Sequence, residues 1–232
     1  MAYPKNPETI VLKNSYYPKG LREIDIWTYY QKVKREILNE TKSRDLMFGL
    51  MVDLNKTVLR RHAKGQDWIR LTPQNYDEVI TGRTVTIYSS MGNYEDFGII
   101  DIDVTDYDGF KWAQKATNDV YEFAMDKMPI VRKAQIRFTG KTSFHIICYF
   151  NRKMKIDSIR FLLQKFLQQS ELAKIYTISG KRKAGVPNID LAPNKFRGNY
   201  ITLHSLSLVG LKCMEVSYND LFKFNQNKAR IS

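Results

Sequence analysis

The spacing of hydrophobic positions changes repeatedly along the chain, and these changes predict a mixture of strands and helices. Apolar residues recur at helical spacing over 24–38, from Phe110 to near Pro129, and after Asp157, the expected N-cap of that third helix. Alternating or continuous apolar runs predict strands at 57–61, 84–88, 97–103, 134–138, 144–150, 188–191, 200–203 and 212–216. Residues 46–50 suit either a strand or a helix. The mixed order favours an α+β architecture over a doubly wound sheet.

Two acids lie inside the predicted strand that begins at Phe97. Asp101 and Asp103 are two residues apart, so their side chains should point to the same face of the sheet. Neighbouring carboxylates repel each other and are costly to bury unpaired, so they require a cation or a proton. Hard divalent ions such as Mg²⁺ and Mn²⁺ take oxygen ligands of this kind. The alternative is a strand end whose acids lead into a solvated turn.

Composition narrows the class of protein. The 232 residues suffice for one large domain or two small ones, and 43% hydrophobic with 12% aromatic residues indicates a globular chain. The formal net charge is +13, which favours a polyanion such as nucleic acid as the partner. A generically basic surface is the alternative explanation.

The cysteine content and the hydropathy of the chain argue against zinc-binding, disulfide-rich, membrane and secreted proteins. Cys148 and Cys213 are the only cysteines of the sequence and form no Cys-x-x-Cys pair, so too few ligands are present for a zinc module and a disulfide framework is not expected. Cys148 lies in an apolar run and is expected to be a buried thiol. The chain has no apolar run of about 18 residues, and its start lacks a signal-peptide pattern. We therefore expect a cytoplasmic protein with no membrane partner.

Two further segments carry residues suited to phosphate chemistry. The polar turn 139–142, between two strands that predict a hairpin, supplies a glycine, a lysine and hydroxyl groups, and His145 follows it. The alternative for His145 is a core histidine satisfied by the backbone. Asp190 lies on a short predicted strand after the basic loop 179–186. A third carboxylate would complete a two-metal site for in-line displacement at phosphorus.

The order of these motifs resembles a known family. Asp101-x-Asp103, then Ser143-x-His145, then Asp190 on a strand is similar to the archaeo-eukaryotic primase superfamily of primase-polymerases. The polymerase domain of bacterial ligase D, which acts in non-homologous end joining, and its stand-alone relatives are the nearest match by motif. Other segments that resemble motifs of that family are Tyr17-Pro18, Asp25 to Tyr30, Arg60 to Gly65, Ser179 to Asn194 and Ser217 to Leu221.

The resemblance implies a primase-polymerase fold. Such a fold has two mainly antiparallel sheets, one of them RRM-like, with flanking helices around a central active-site cleft. It implies that residues 1–232 form a single catalytic domain. It also implies a template-dependent nucleotidyltransferase that uses two divalent metal ions, Mn²⁺ or Mg²⁺, with NTP or dNTP as substrate.

Site residues follow from the same resemblance. Asp101, Asp103 and Asp190 correspond to the metal ligands. The triphosphate-binding residues correspond to Thr139, Lys141, Ser143 and His145. Two departures concern the triphosphate: the lysine of the turn is shifted by one place, with Thr142 at its position, and the late Tyr-Ser-x-Arg reads His204-Ser205-Leu206-Ser207. The arginine that helps hold the triphosphate is therefore missing, and Arg197 or Arg182 is the candidate substitute.

Basic residues outside these motifs are candidates for contacts with DNA. They are Lys13, Arg22, Arg60, Lys64, Lys181, Arg182 and Lys183. Lys13, Lys19 and Arg22 flank the Pro18 turn, near whose counterpart the family binds a downstream 5′-phosphate. The expected partners are primer-template, gapped or broken DNA, together with a Ku-like protein and a ligase, in a nucleoid-associated setting.

Four functions remain open on the sequence. The first is a primase-polymerase acting in end joining or gap filling. The second is a catalytically weak module that binds nucleic-acid ends, favoured by the missing arginine and the high charge. The third is a primase of a mobile element, and the fourth a metal-dependent nuclease, which needs the acids but no triphosphate-binding turn.

Overall fold

The structure is a computed structural model that describes residues 4–62, 68–104, 109–181, 183 and 185–231. These residues form two compact units, each assembled from separate stretches of the chain. The first contains residues 4–90, 199–213 and 225–231, and the second contains residues 91–198 and 214–224. The expectation that residues 1–232 form a single catalytic domain stays a prediction.

Strands and helices follow one another in a mixed order, as expected for an α+β architecture. The strands are β1 (Ile10–Leu12), β2 (Leu21–Arg22), β3 (Leu46–Asp53), β4 (Lys56–Arg60), β5 (Thr84–Ser90), β6 (Tyr94–Asp103), β7 (Val131–Phe138), β8 (Phe144–Lys155), β9 (Thr177–Ile178), β10 (Asn188–Asp190), β11 (Asn199–Ile201) and β12 (Met214–Val216). The α-helices are α1 (Glu23–Lys32), α2 (Lys34–Glu40), α3 (Tyr76–Val79), α4 (Phe110–Lys127), α5 (Ile156–Gln168) and α6 (Leu172–Ile175). Two short 3-10 helices follow at Tyr218–Lys223 and Gln226–Ala229.

The first unit is built on an antiparallel four-stranded sheet in the order β11-β5-β3-β4, with a small β1-β2 ribbon. Tyr30 and Tyr76 are fully buried in its core. Each phenol needs a partner when it is buried. The Tyr76 hydroxyl donates to the Tyr30 carbonyl over 2.9 Å, and the Tyr30 hydroxyl accepts from the Leu206 amide over 3.1 Å.

The second unit contains a six-stranded sheet in the order β12-β7-β8-β6-β10-β9, antiparallel except for the β9-β10 pair. Helices α4 and α5 pack on one face of it. Phe110 of α4 stacks on Phe144 of β8 at 5.6 Å between ring centroids. On β6, a Cβ added to Gly98 would lie 2.7 Å from Ile159 Cγ2 of α5, so glycine is needed for this approach. The opposite face bears Asp101 and its neighbours.

The predicted helix over 24–38 is interrupted. It divides into α1 and α2 at Val33, whose dihedral angles of φ −103° and ψ 16° are not helical. The Val33 amide still donates to Tyr29 O, and its carbonyl accepts from Ile37 N. The apolar stripe therefore continues through the break, and Ile26, Tyr30 and Ile37 remain buried.

The expected N-cap at Asp157 is wrong. Strand β8 continues to Lys155, much further than its apolar run, and α5 begins at Ile156 with Lys155 as its N-cap. Asp157 lies instead in the first turn of α5, where a negative charge still interacts favourably with the helix dipole. The ambiguous segment 46–50 belongs to strand β3.

Cys148 is buried, as expected, and so is Cys213. Burial raises the pKa of the Cys148 thiol to about 12, so it is not a reactive group at neutral pH. Within the described ranges, none of the helices has the length and apolar character needed to cross a membrane.

Candidate active site

A row of polar residues crosses the six-stranded sheet on the face opposite α4 and α5. Asp101 on β6 lies directly opposite His145 on β8 and directly opposite Asp190 on β10. The row continues through Arg137 on β7, which is opposite His145, to Glu215 on β12. Because directly opposed residues of antiparallel strands project to the same face, these five side chains share one surface.

Asp103 extends this surface by one further row. It lies on the same face as Asp101, as the spacing of two predicted, and opposite Asn188 of β10. The Ser143 hydroxyl donates to Asp103 Oδ1 over 2.6 Å. The structure therefore brings Asp101, Asp103 and Asp190 onto adjacent strands of one sheet face.

Each of the three carboxylates has a different hydrogen-bonding or ionic neighbour. Asp101 Oδ1 is 3.5 Å from His145 Nε2, and Asp190 Oδ1 accepts from the Ala192 amide over 2.9 Å. In the part of the chain that the structure describes, no group of three His, Cys, Asp or Glu side chains converges closely enough to hold a metal ion. The oxygen ligands and the register of the two strands fit a hard divalent cation.

His145 is buried, and one of its ring nitrogens has no protein partner. Burial, with a smaller effect from the positive charge of Arg137, lowers the pKa of His145 to about 3, so the imidazole is neutral. Its Nδ1 is inaccessible to solvent and makes no hydrogen bond. A core histidine satisfied by the backbone is therefore not what the structure contains. A buried polar atom of this kind needs a partner, which a water molecule or a ligand atom can supply.

The turn between β7 and β8 is held tightly closed. The Thr139 amide and the Thr139 hydroxyl both donate to the Ser143 carbonyl, over 3.0 and 2.9 Å. Gly140 has φ +96°, a left-handed conformation that favours glycine. Lys141 is exposed at the tip of the turn, and Thr142 is buried. The turn therefore exposes the Lys141 side chain and fixes the position of Ser143.

Sequence reasoning missed four residues of this surface: Gln135, Arg137, Asn188 and Glu215. On β7, apolar Ala134, Ile136 and Phe138 alternate with Lys133, Gln135 and Arg137, and this alternation was the available signal. Asn188 gave no comparable signal. It is buried, and its Oδ1 makes no hydrogen bond.

The candidate DNA-binding residues that the structure describes are divided between the two units. Lys13 and Arg60 are exposed in the first unit, and Lys181 and Lys183 are exposed in the second. Lys64 and Arg182 lie outside the described residues.

Two arginines among the predicted site residues already have partners. The Arg22 guanidinium bonds Glu8 over 2.7 Å and Asp25 over 2.8 Å, which raises its pKa and offsets its charge locally. Arg197 is exposed in the second unit, with its guanidinium 5.1 Å from the centre of the Phe196 ring. Neither arginine belongs to the row of opposed residues that contains Asp101.

The comparison with known proteins identifies the fold of the chain but finds no related sequence. No protein-family model matches the chain, and neither does any curated protein sequence. The chain has an α+β fold of the primase-polymerase type. It is similar to the solved polymerase domain of ligase D from Mycobacterium tuberculosis in complex with DNA. That match has a TM-score of 0.74 and 11% sequence identity, and covers 95% of this chain and 88% of that one.

A second solved structure is the AEP domain of the primase-polymerase from cyanophage S-2L. It matches with a TM-score of 0.47 and 10% identity, over 83% of this chain and 94% of that one. The resemblance inferred from the motifs is therefore confirmed at the level of the fold by the ligase D domain.

Proposed function

We propose that the protein is a template-dependent nucleotidyltransferase of the primase-polymerase type. The observation that carries the proposal is the placement of Asp101, Asp103 and Asp190 on one sheet face, with His145 in register beside Asp101. Three oxygen ligands next to an unsatisfied imidazole nitrogen suit a site for a metal-bound nucleotide.

Asp101, Asp103 and Asp190 are the residues that would hold two divalent metal ions, Mn²⁺ or Mg²⁺. When bound, such ions supply electrostatic stabilisation of the triphosphate and pyrophosphate and lower the pKa of the attacking hydroxyl group. The chain contributes positions and charges rather than covalent chemistry, as is usual for phosphoryl transfer.

The remaining residues of the proposed site orient the nucleotide. His145 has an Nδ1 atom without a hydrogen bond that the nucleotide could contact. Thr139, Lys141 and Ser143 belong to the closed turn that precedes β8. The hydroxyl of Ser143 also fixes the orientation of Asp103. Arg197 and Arg182 remain candidates for a further contact with the triphosphate.

Nucleic acid is the second substrate that we infer. The net charge of +13 suits a polyanion, and the similar ligase D domain was solved in complex with DNA. We propose primer-template, gapped or broken DNA, with NTP or dNTP, and a role in end joining or gap filling beside a Ku-like protein and a ligase. A primase of a mobile element is the alternative role for the same chemistry.

A catalytically weak end-binding module is the second candidate function. It is favoured by one observation: the three carboxylates have different neighbours and form no converged metal-binding group among the described residues. In such a module the acids would be structural, and the basic surface alone would bind nucleic acid.

One experiment separates these functions. The protein is incubated with a labelled primer-template, Mn²⁺ and nucleotides, and the labelled strand is sized on a gel. Extension that follows the template supports the proposed function. A shifted but unchanged strand indicates the binding module, and a shortened strand indicates a nuclease.

A further inference from the structure

The outer strand of the four-stranded sheet carries exposed aliphatic side chains on both of its faces. Strand β4 forms one edge of that sheet, and among the described residues it pairs with β3 and with no other strand. Val58 is 44% exposed and Leu59 is 55% exposed. The two residues are consecutive, so their side chains project to opposite faces of the sheet. A strand of an antiparallel sheet more commonly has apolar side chains on the core face and polar ones on the solvated face.

Further aliphatic groups adjoin these two side chains. Leu59 lies directly opposite Gly49, and a Cβ added to Gly49 would be 3.3 Å from Leu208 Cδ2. Leu208 is itself 45% exposed. On the other face, Val58 lies directly opposite the half-buried Leu50. Each face of the sheet therefore has neighbouring aliphatic side chains beside the open edge.

The edge of β4 also offers backbone groups to a partner. An edge strand presents a row of N–H and C=O groups that its single neighbour does not use. Among the described residues, the backbone groups of residues 56–60 bond to no segment other than β3. An extended peptide that pairs with such an edge continues the sheet, and its side chains lie beside those of the edge strand on both faces. An added strand would thus cover Val58 and Leu59 together.

Two cations at the ends of β4 select the kind of strand that can pair there. Lys56 and Arg60 are exposed and project to the same face as Val58. If two copies of this chain paired antiparallel about Val58, the Lys56 of each copy would face the Arg60 of the other. Like charges directly opposite each other are destabilising, whereas opposite charges attract. The edge therefore disfavours a second copy and favours a strand with acidic residues at these two positions.

DNA is the competing occupant, because Arg60 is also a candidate contact for nucleic acid. Nucleic acid binds through phosphates that contact cations and through bases that stack on aromatic side chains. Val58 and Leu59 supply neither kind of contact. The exposed aliphatic side chains together with the open backbone edge favour a protein segment.

We propose that β4 is a docking strand for an extended segment of a partner protein that is both acidic and aliphatic. The segment adds to the edge of the sheet with aliphatic residues opposite Val58 and Leu59 and acidic residues opposite Lys56 and Arg60. This surface lies in the first unit, whereas the acids of the proposed active site lie in the second. The inference is therefore independent of the proposed function.

The test measures, by fluorescence anisotropy, how tightly the full chain binds a labelled synthetic peptide that contains Glu-Ile-Val-Thr-Glu. Val58→Ser and Leu59→Ser should each weaken binding about tenfold, because less apolar surface is buried. Phe161→Ser, which changes an exposed apolar residue of α5, is the matched control and should leave the affinity unchanged. The same peptide with lysine in place of both glutamates should bind at least about tenfold more weakly.

Two further peptides test the pairing of the backbone. They carry N-methyl groups on alternate amides, one peptide on the odd and the other on the even positions. Because paired residues of antiparallel strands alternate between hydrogen-bonded and non-hydrogen-bonded, one peptide should lose binding and the other should retain it.

Several results would overturn the inference. Among the peptides, they are no binding of the acidic peptide, equal binding of the lysine peptide, or an equal effect of the two N-methylated peptides. Dimerisation of the wild-type protein that Leu59→Ser abolishes would assign the edge to a second copy. A loss of DNA affinity in Leu59→Ser with unchanged peptide affinity would assign it to DNA.

Discussion

At the scale of single residues, the two acids of β6 have different neighbours. Asp103 accepts a hydrogen bond of 2.6 Å from the Ser143 hydroxyl, whereas Asp101 lies 3.5 Å from the imidazole of His145. Carboxylates that face the same way repel each other unless a cation lies between them. A divalent ion that binds there should therefore stabilise the folded state.

We predict that Mn²⁺ raises the melting temperature of the wild-type protein through these acids. A ligand that binds only the folded state adds about 2.7 kcal/mol of stability at about 100 times its Kd. Asp101→Asn and Asp103→Asn should each remove most of this stabilisation in a thermal-shift titration. Asp96→Asn, an exposed acid of the same strand, is the control. Equal Mn²⁺ responses in all four proteins would exclude a metal site at these acids.

His145 gives a second prediction at this scale. Since its Nδ1 has no protein partner, His145→Ala should weaken nucleotide binding about tenfold. Binding of template DNA should change little, and His62→Ala, an exposed histidine, should leave the nucleotide affinity unchanged. Both affinities are measured by titration. A lower melting temperature with unchanged nucleotide affinity would show that His145 is only a core residue.

At the scale of elements, the loop after β10 is hydrogen-bonded to strand β6, which carries Asp101. Asn194 is fully buried in this loop. Its Oδ1 accepts from the Ile99 amide over 2.7 Å, and its Nδ2 donates to the Ile99 and Leu191 carbonyls. The side chain thus continues the ladder of β6 where β10 has ended. This contact helps to keep Asp190 opposite Asp101.

We predict that Asn194→Ala lowers the free energy of unfolding by about 2–3 kcal/mol, because buried backbone groups of β6 lose their partners. Denaturant unfolding measures this change, and Asn151→Ala, an exposed asparagine of β8, is the control. Mn²⁺ stabilisation should fall in the same variant as the row loses its register. A loss no larger than that of the control would mean that Asn194 does not maintain the strand pairing.

The strands of the second unit show which structural features could be predicted from the sequence and which could not. Short apolar runs predicted β6, β7 and β8, and the spacing of Asp101 and Asp103 predicted their common face. The register across strands was not readable, because it depends on pairings between segments far apart in the chain. The opposition of Arg137 to His145 is such a pairing. Hydrophobic spacing also could not reveal the break at Val33, since its hydrogen bonds preserve the stripe.

At the scale of the whole molecule, the net charge of +13 predicts DNA binding that weakens steeply as salt rises. A terminal 5′-phosphate should add affinity of about 1–3 kcal/mol over a 5′-hydroxyl, through charge-assisted hydrogen bonds. Lys13→Ala should remove more of this preference than Arg22→Ala, because the Arg22 guanidinium already bonds Glu8 and Asp25. Gapped DNA with each type of end is titrated at several salt concentrations.

Two outcomes would contradict that prediction in different ways. Equal affinity of the wild-type protein for both ends would remove the end-joining role and leave gap filling or priming in place. A salt dependence that is flat would remove DNA as the partner, because each neutralised phosphate releases counterions.

We propose that the acids of β6 and β10 support templated nucleotide transfer. The extension of a labelled primer-template is measured for the wild-type protein, Asp101→Ala and Asp103→Ala, with Mn²⁺ or Mg²⁺ and each nucleotide supplied separately. The wild-type protein should add the nucleotide that pairs with the template. Both variants should add none while they bind the DNA with nearly wild-type affinity. Extension at the wild-type rate by either variant, or no extension by the wild-type protein with either metal, would contradict the claim.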